Sequence, residues 1–89
     1  MIEKELKIIN KLGLHARAAV KLVEVASRFD SHIFLRRNGR EVNGKSIMGV
    51  MMLAASQGTS IDVSVDGPDE AAAMECIETL VRDRFGEDE

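Results

Sequence analysis

The sequence predicts an α+β domain in which an antiparallel β-sheet carries α-helices on one face. Apolar and polar residues alternate in several short segments, most clearly over Ser60–Asp66, where Ile61, Val63 and Val65 stand between polar side chains. This period is typical of strands with one face in solvent. Other segments repeat apolar residues at intervals of three and four, as amphipathic helices do. The predicted order is βαββαβα without a linker or repeat, so residues 1–89 are expected to form one domain.

Composition and charge exclude several classes of function. The chain has 12 Lys and Arg against 15 Asp and Glu, with no Trp, no Tyr and three Phe. Nucleic-acid binding is disfavoured, because it relies on a basic surface and aromatic platforms. The single cysteine, Cys76, rules out an internal disulfide and fits a reducing compartment. No apolar run is long enough to cross a membrane, and the charged first residues are not typical of a signal peptide. We therefore expect a cytoplasmic protein without membrane insertion.

Four strands are predicted, and their inward residues are Leu6, Ile8, Ile33 and Leu35 as well as those of the last strand. The Asn38-Gly39 pair is a strong signal for a hairpin turn. The predicted strands cover residues 4–9, 31–37, 40–42 and 60–66. The arginines around the hairpin, Arg36, Arg37 and Arg40, are expected to form a solvated edge.

Three helices are predicted. The first covers residues 16–29, the second covers residues 47–54 with Ser46 as its cap, and the third follows a cap at Asp69. The third helix is expected to bury Ala73, Met74, Ile77, Leu80 and Val81, and Cys76 is expected to be a partly buried small apolar residue. The acidic residues 87–89 are expected to fray.

The second helix is apolar on both sides. Its positions place Val50, Leu53 and Ala54 on one side and four larger apolar residues on the other. Methionines at helical spacing commonly belong to a core, but a domain of this size can bury only one side of so short a helix. The other side therefore predicts an exposed, adaptable docking surface. It consists of Ile47, Met48, Met51 and Met52.

The start of the first helix breaks a local rule. None of the usual capping residues precedes it, and the position falls at Leu14 or His15 after the turn-former Gly13. The backbone N–H groups of Ala16 and Arg17 are then free, and with the helix dipole and the Arg17 guanidinium they favour binding of a phosphate-sized anion. The neutral His15 imidazole beside them is a nucleophile. Without the neighbouring Arg17 and the missing cap, His15 would more often be a surface or capping residue. Without His15, Arg17 would more often be a solvated surface residue. His15, His32 and Cys76 lack the spacing of metal ligands, so no metal or cofactor is expected.

The chain resembles the HPr family, the histidine-containing phosphocarriers of the bacterial phosphoenolpyruvate-dependent sugar phosphotransferase system. The resemblance spans essentially the whole chain and depends on two separated motifs, Gly13-Leu14-His15-Ala16-Arg17 and the segment Asn43 to Met51, with Gln57-Gly58-Thr59 before the last strand. One departure is Ala18, where family members usually have proline. Alanine suits a helix, but it adds backbone freedom that can change the transfer rate.

The resemblance implies an open-faced β-sandwich, a four-stranded antiparallel sheet with three helices on one face. It also implies that His15 accepts a phosphoryl group on Nδ1 from enzyme I and passes it to an enzyme II A component, so the protein would be a carrier and not an enzyme. The predicted docking surface adds Ala16, Val20 and Glu24 to the four apolar residues of the second helix, and we expect a monomer. The alternative is a carrier of the nitrogen-related branch, with a regulatory role in place of sugar uptake.

Two roles of Ser46 are compatible with the sequence. Capping alone explains a serine at this position. The resemblance adds regulatory phosphorylation by HPr kinase/phosphorylase, which the segment Lys45 to Gly49 resembles. A phosphate there would place close to two negative charges beside Met48 and weaken docking to acidic partners.

Overall fold

The computed structural model describes residues 1–89 and contains one sheet of four antiparallel strands. The strands are β1 (Ile2–Lys7), β2 (His32–Arg37), β3 (Arg40–Asn43) and β4 (Ser60–Asp66), in the spatial order β1-β4-β2-β3. Strand β4 lies between β1 and β2, and its Ile61 is opposite Leu6 while its Val65 is opposite Ile33. The alternating residues therefore stack into a continuous apolar face.

Three helices cover that face: α1 (Ala16–Ala26), α2 (Ile47–Met52) and α3 (Glu70–Arg82). A short 3₁₀ turn, Arg84–Gly86, follows α3. The inward residues of β2 and β4 are buried, as are Leu22 of α1, Val50 of α2 and Ile77 of α3. The outward residues of β2 and β4 are exposed except for the half-buried Ser64, so the opposite face of the sheet is in solvent. The predicted fold class is confirmed, and no helix is long and apolar enough to cross a membrane.

The hairpin between β2 and β3 has the predicted turn. Asn38 and Gly39 have φ values of 52° and 78°. Two consecutive left-handed residues match the right-handed twist of the paired strands, and asparagine and glycine adopt this conformation most easily.

Two predicted helices are longer than those observed. α1 ends at Ala26, and the next residues form tighter turns in which Arg28 and Phe29 donate to Val25 and Ala26. α2 ends at Met52, because Ala54 takes a left-handed conformation with φ of 51°. The prediction that Ala54 faces the core is therefore wrong. The turn exposes Ala54 and buries Ala55 in its place.

The arginines near the hairpin do more than form a solvated edge. Nη1 of Arg37 donates to the carbonyl of Leu53 at 3.0 Å, and Nη1 of Arg40 donates to the carbonyl of Met52 at 3.1 Å. These carbonyls lie at the carboxyl end of α2, where backbone acceptors lack helical partners and cations are favourable. Arg36 is exposed, as predicted.

Asp69 precedes α3 but does not cap it with its side chain, so that prediction is wrong. Its carboxylate accepts hydrogen bonds from the N–H groups of Asp30 and Ser31 and from the Ser31 hydroxyl. Glu70 instead accepts from the N–H of Gly67 just before the helix. Asp69 therefore fixes the start of α3 to the turn that precedes β2.

Two smaller predictions about α3 also differ from the structure. Cys76 is exposed, because it lies on the solvent side of the helix, one position before the buried Ile77. Leu80 is half-buried at the edge of the core. His32 is exposed at the start of β2, and no group of three or more potential ligands is placed to hold a metal ion.

Acid should weaken the contact between Asp69 and the turn before β2. The hydrogen bond from the Ser31 hydroxyl, followed by those from backbone N–H groups, lowers the pKa of Asp69 below its usual value. A depressed folded-state pKa adds stability that is present above about pH 4 and is lost as the pH falls through the folded value. Asp69→Asn should therefore lower Tm at neutral pH and reduce the loss of Tm between neutral and acidic pH. Asp62→Asn, on the exposed sheet face, is the control and should leave that loss unchanged. Equal pH profiles for all three proteins would contradict this assignment.

Gly13 is required by both its conformation and its surroundings. It has φ of +65°, and a Cβ atom there would lie 2.4 Å from the carbonyl oxygen of Ala55. Gly39 is a matched control, because its φ is +78° but nothing lies within 4 Å of its added Cβ. The left-handed conformation alone costs about 1–2 kcal/mol for alanine. Gly13→Ala should therefore lose clearly more unfolding free energy than Gly39→Ala in urea titrations. Equal losses would show that the close approach to Ala55 is unimportant.

Candidate functional site

The loop between β1 and α1 is anchored on both sides before it reaches His15. Ile8 exchanges backbone hydrogen bonds with the segment before β4, through Thr59 O at 2.8 Å and Gly58 N at 2.7 Å. The N–H of Leu14 donates to the carbonyl of Ala55 at 2.9 Å, and the Leu14 side chain is buried. The chain therefore presents His15 from a fixed position next to the segment that follows α2.

His15 occupies the capping position of α1 without capping it. Its backbone is extended, with φ of −73° and ψ of 178°, and no side chain accepts from the first N–H groups of the helix. The first backbone bond of the helix joins Ala19 N to His15 O at 2.9 Å, so the N–H groups of Ala16 and Arg17 precede the helical ladder. The predicted uncapped helix start is confirmed.

An open cleft of about 760 Å³ lies at this helix start. It brings His15, Ala16 and Arg17 together, as the sequence predicted. Arg17 is exposed, and the ion pairs along the cleft join other residues, so its guanidinium is available to an anion. The complete lining consists of Lys11, Leu12, His15, Ala16, Arg17, Glu87, Asp88 and Glu89.

The acidic end of the chain forms one side of this cleft, so the prediction that residues 87–89 fray is wrong. Oε2 of Glu87 lies 2.5 Å from Nε2 of His15, and only 14% of the Glu87 side chain is exposed. Desolvation acts to raise the pKa of the Glu87 carboxyl. Hydrogen bonds from His15 and Asn10, with the charges of His15 and Lys21, outweigh it and hold that pKa below its usual value.

The side chain of Asn10 connects the His15 loop to Glu87. Its Nδ2 donates to the carbonyl of Gly13 at 2.9 Å and to Oε1 of Glu87 at 3.0 Å. The residue is fully buried, and its Oδ1 has no hydrogen-bond partner. An unpaired buried acceptor is unfavourable, which indicates that the amide is kept for its two donated bonds.

The tail reaches the cleft because Phe85 is anchored in the core. Phe85 is fully buried, and Nζ of Lys21 donates to its carbonyl at 2.6 Å. Farther along, the N–H of Lys11 donates to Glu89 O at 2.5 Å.

Sequence reasoning missed Asn10, Lys21 and Glu87. The one available signal was Phe85, a large apolar residue placed between charged ones and therefore a candidate anchor.

The predicted docking surface is exposed. Helices α1 and α2 are adjacent, and all four apolar residues predicted on the outer side of α2 are open to solvent, Met48 most of all at 71%. On α1, Val20 is 36% exposed, and Ala16 and Glu24 are also exposed. Leu12, which sequence reasoning missed, is 64% exposed and lines the cleft. Here "docking patch" denotes Ala16, Val20, Glu24, Ile47, Met48, Met51 and Met52.

Ser46 caps α2, as predicted. Its backbone is extended, and its Oγ accepts a hydrogen bond from the N–H of Gly49 at 3.1 Å. Ser46 is partly exposed and stands two positions before Met48. The neighbouring Lys45 directs its ammonium group to the carbonyl of Phe29 at 2.7 Å.

Comparisons with known proteins agree with this fold. Residues 2–83 match the family model described as "PTS HPr component phosphorylation site". A phosphocarrier protein HPr from Xylella fastidiosa is 59% identical over 88 residues, covering 99% of both chains. The crystal structure of HPr-C-His from Thermoanaerobacter tengcongensis has a TM-score of 0.96 at 43% identity and covers 100% of both chains. An HPr dimer from the same organism has a TM-score of 0.79 at 44% identity, covering 98% of this chain and 100% of that one.

The open sheet with three helices on one face, together with the family match over residues 2–83, defines the chain as a phosphocarrier protein. The chain belongs to the HPr family, the phosphocarrier proteins of the phosphotransferase system.

Proposed function

We propose that this phosphocarrier accepts a phosphoryl group on His15 from enzyme I, which takes it from phosphoenolpyruvate, and passes it to an enzyme II A component. The observation that carries this proposal is the position of the His15 ring beside free N–H groups and an unpaired arginine in an open cleft. The protein acts as a stoichiometric carrier in the cytoplasm, as a monomer, and the active sites of its partners complete the chemistry.

The helix start can hold the phosphoryl group after transfer. The N–H groups of Ala16 and Arg17 point out of the positive end of α1, and the Arg17 side chain adds a charged donor. All these groups are near solvent, which limits the strength of each interaction. Moderate stabilisation suits a carrier, because a phosphoryl group bound too firmly would not be released to the next protein.

The docking patch explains how two different partners can use one surface. Its methionines are flexible and polarizable, so they adapt to different shapes. Single exposed apolar residues are ordinary, but here several lie on two adjacent helices, one of which begins directly after His15. Enzyme I and the enzyme II A component would therefore bind in turn over the same apolar area.

Phosphoenolpyruvate carrying a labelled phosphoryl group tests the proposed function directly. With enzyme I, the native protein should take up one acid-labile, alkali-stable label, and His15→Ala should take up none. Arg17→Ala should fold normally but accept the label about 10-fold to 100-fold more slowly, since a charge-assisted hydrogen bond contributes about 1.5–3 kcal/mol.

His32→Ala is the matched control for His15→Ala, because His32 is exposed and far along the chain from the cleft. It should be labelled like the native protein. Absence of label on the native protein, with enzyme I shown to be active on another carrier, would end the proposal.

Ser46 is proposed to regulate docking when it is phosphorylated by HPr kinase/phosphorylase. Ser46 is partly exposed at a helix start, where a phosphate is locally favourable. The added charge would stand beside Met48, at the edge of the docking patch. Capping of α2 and regulation are therefore compatible roles for the same residue.

A charge placed in the docking patch should weaken binding without unfolding the protein. Met48→Asp and Ser46→Asp should each raise the Kd for enzyme I about 10-fold or more in calorimetric titrations, because a charge buried at the interface loses its hydration. Tm of Met48→Asp should stay close to the native value, since that side chain is 71% exposed. Ala71→Asp adds the same charge at an exposed position of α3 and should leave Kd unchanged. A collapse in the stability of Met48→Asp would instead assign Met48 to the core.

The nitrogen-related branch of the same system is the alternative. Its carriers share the histidine chemistry but serve regulation. The labelling experiment discriminates between the two when it is run with enzyme I of each branch, and the faster donor identifies the branch.

A further inference from the structure

We propose that Glu87 is a positioning residue for His15: its carboxylate accepts a hydrogen bond from the Nε2–H group of the ring, which keeps the proton on Nε2 and leaves Nδ1 as the nucleophilic nitrogen. A neutral imidazole carries one proton on either nitrogen, and the hydrogen bond made by one nitrogen decides the role of the other. A carboxylate can only accept. With Oε2 of Glu87 at 2.5 Å from Nε2, the tautomer protonated at Nε2 is the one that fits.

The carboxylate is held in place independently of the ring. Oε1 of Glu87 accepts from Nδ2 of the buried Asn10, so one oxygen is fixed while the other faces His15. The same Asn10 amide binds the carbonyl of Gly13 in the His15 loop. Asn10 therefore couples the loop to the tail, and the buried Phe85 fixes the tail two residues before Glu87.

The other charges around the ring do not replace this contact. Lys11 pairs with Glu89, and Lys21 donates to the carbonyl of Phe85. Arg17 and Asp88 also line the cleft. Among the carboxylates of the cleft, only that of Glu87 contacts the imidazole. Asp88 and Glu89 thus carry the same charge in the same cleft without a contact to the ring, which makes them matched controls.

The Nε2 proton also matters after phosphorylation, a step that depends on the proposed function. On acceptance, the Nδ1 lone pair bonds to phosphorus while the bond from phosphorus to the donor breaks, and the donor keeps that electron pair. The ring then carries a positive charge that the Glu87 carboxylate stabilises. On release, the bond between phosphorus and Nδ1 breaks and its electron pair returns to Nδ1. The leaving group is a neutral imidazole only if Nε2 has kept its proton; otherwise it would be an imidazolate anion, a much poorer leaving group.

Nitrogen-15 NMR of the His15 ring in the unphosphorylated protein tests this inference without any partner. At alkaline pH, where histidine rings are neutral, the native protein should show the Nε2-protonated tautomer in excess by about 10-fold or more, as expected for a charge-assisted hydrogen bond. Glu87→Gln offers both a donor and an acceptor, so the excess should fall by about 10-fold. Asp88→Asn and Glu89→Gln should keep the native ratio, and Glu87→Asp should restore part of it.

An unchanged tautomer ratio in Glu87→Gln, or an equal change in Asp88→Asn, would overturn the inference.

A second measurement follows transfer from phosphorylated His15 to the enzyme II A component. Glu87→Gln should be slowed about 10-fold at alkaline pH, where the unsupported Nε2 proton is lost, and much less at acidic pH. A uniform loss at all pH values would indicate a structural role only. If the tautomer ratio responds but His15 takes up no label from enzyme I, the proposed function fails and the positioning by Glu87 stands.

Discussion

The uncapped start of α1 is the constraint on which the rest of the site depends. A side-chain cap at position 15 would satisfy the first N–H groups of the helix, but His15 stands there and leaves them to an external acceptor. The loop that brings His15 to this position requires Gly13 in a left-handed conformation against Ala55. Backbone hydrogen bonds between Ile8 and the segment before β4 support the same loop. The core thus fixes a helix end that is left incomplete, and its missing hydrogen-bond partner is the proposed phosphoryl group.

Much of the fold could be predicted from local patterns. Alternation defined β4 to the residue, and the Asn38-Gly39 pair gave the correct turn. The missing cap indicated His15, and the two-sided α2 indicated the exposed residues Ile47, Met48, Met51 and Met52, because both signals lie within a few neighbouring positions of the chain. Where tertiary contacts compete with local rules, prediction failed. Asp69 has the residue type of a cap, but the N–H groups of Asp30 and Ser31 engage it instead.

The missed part of the site is long-range. Asn10 and Glu87 are 77 positions apart, and no sequence pattern joins them. The sequence predicted a solvated tail because residues 87–89 are all acidic. The residue that anchors the tail, Phe85, is a single apolar residue and therefore a weak signal in the sequence. In the structure the tail supplies the carboxylate that faces Nε2 of His15, so the ring shares one cleft with this carboxylate and with the positive start of α1. Phe85 and Asn10 thereby connect the folding of the carboxyl end to the chemistry of the site.

The central claim is that the free N–H groups of α1 hold the phosphoryl group on His15. Amide chemical shifts of Ala16 and Arg17, recorded before and after complete phosphorylation of His15, test it most directly. Both signals should move strongly downfield, as expected when an N–H donates to an anion. The amide of Gly49, already bonded to Ser46, serves as an internal reference and should stay in place. Unchanged Ala16 and Arg17 signals on a fully phosphorylated protein would contradict the claim.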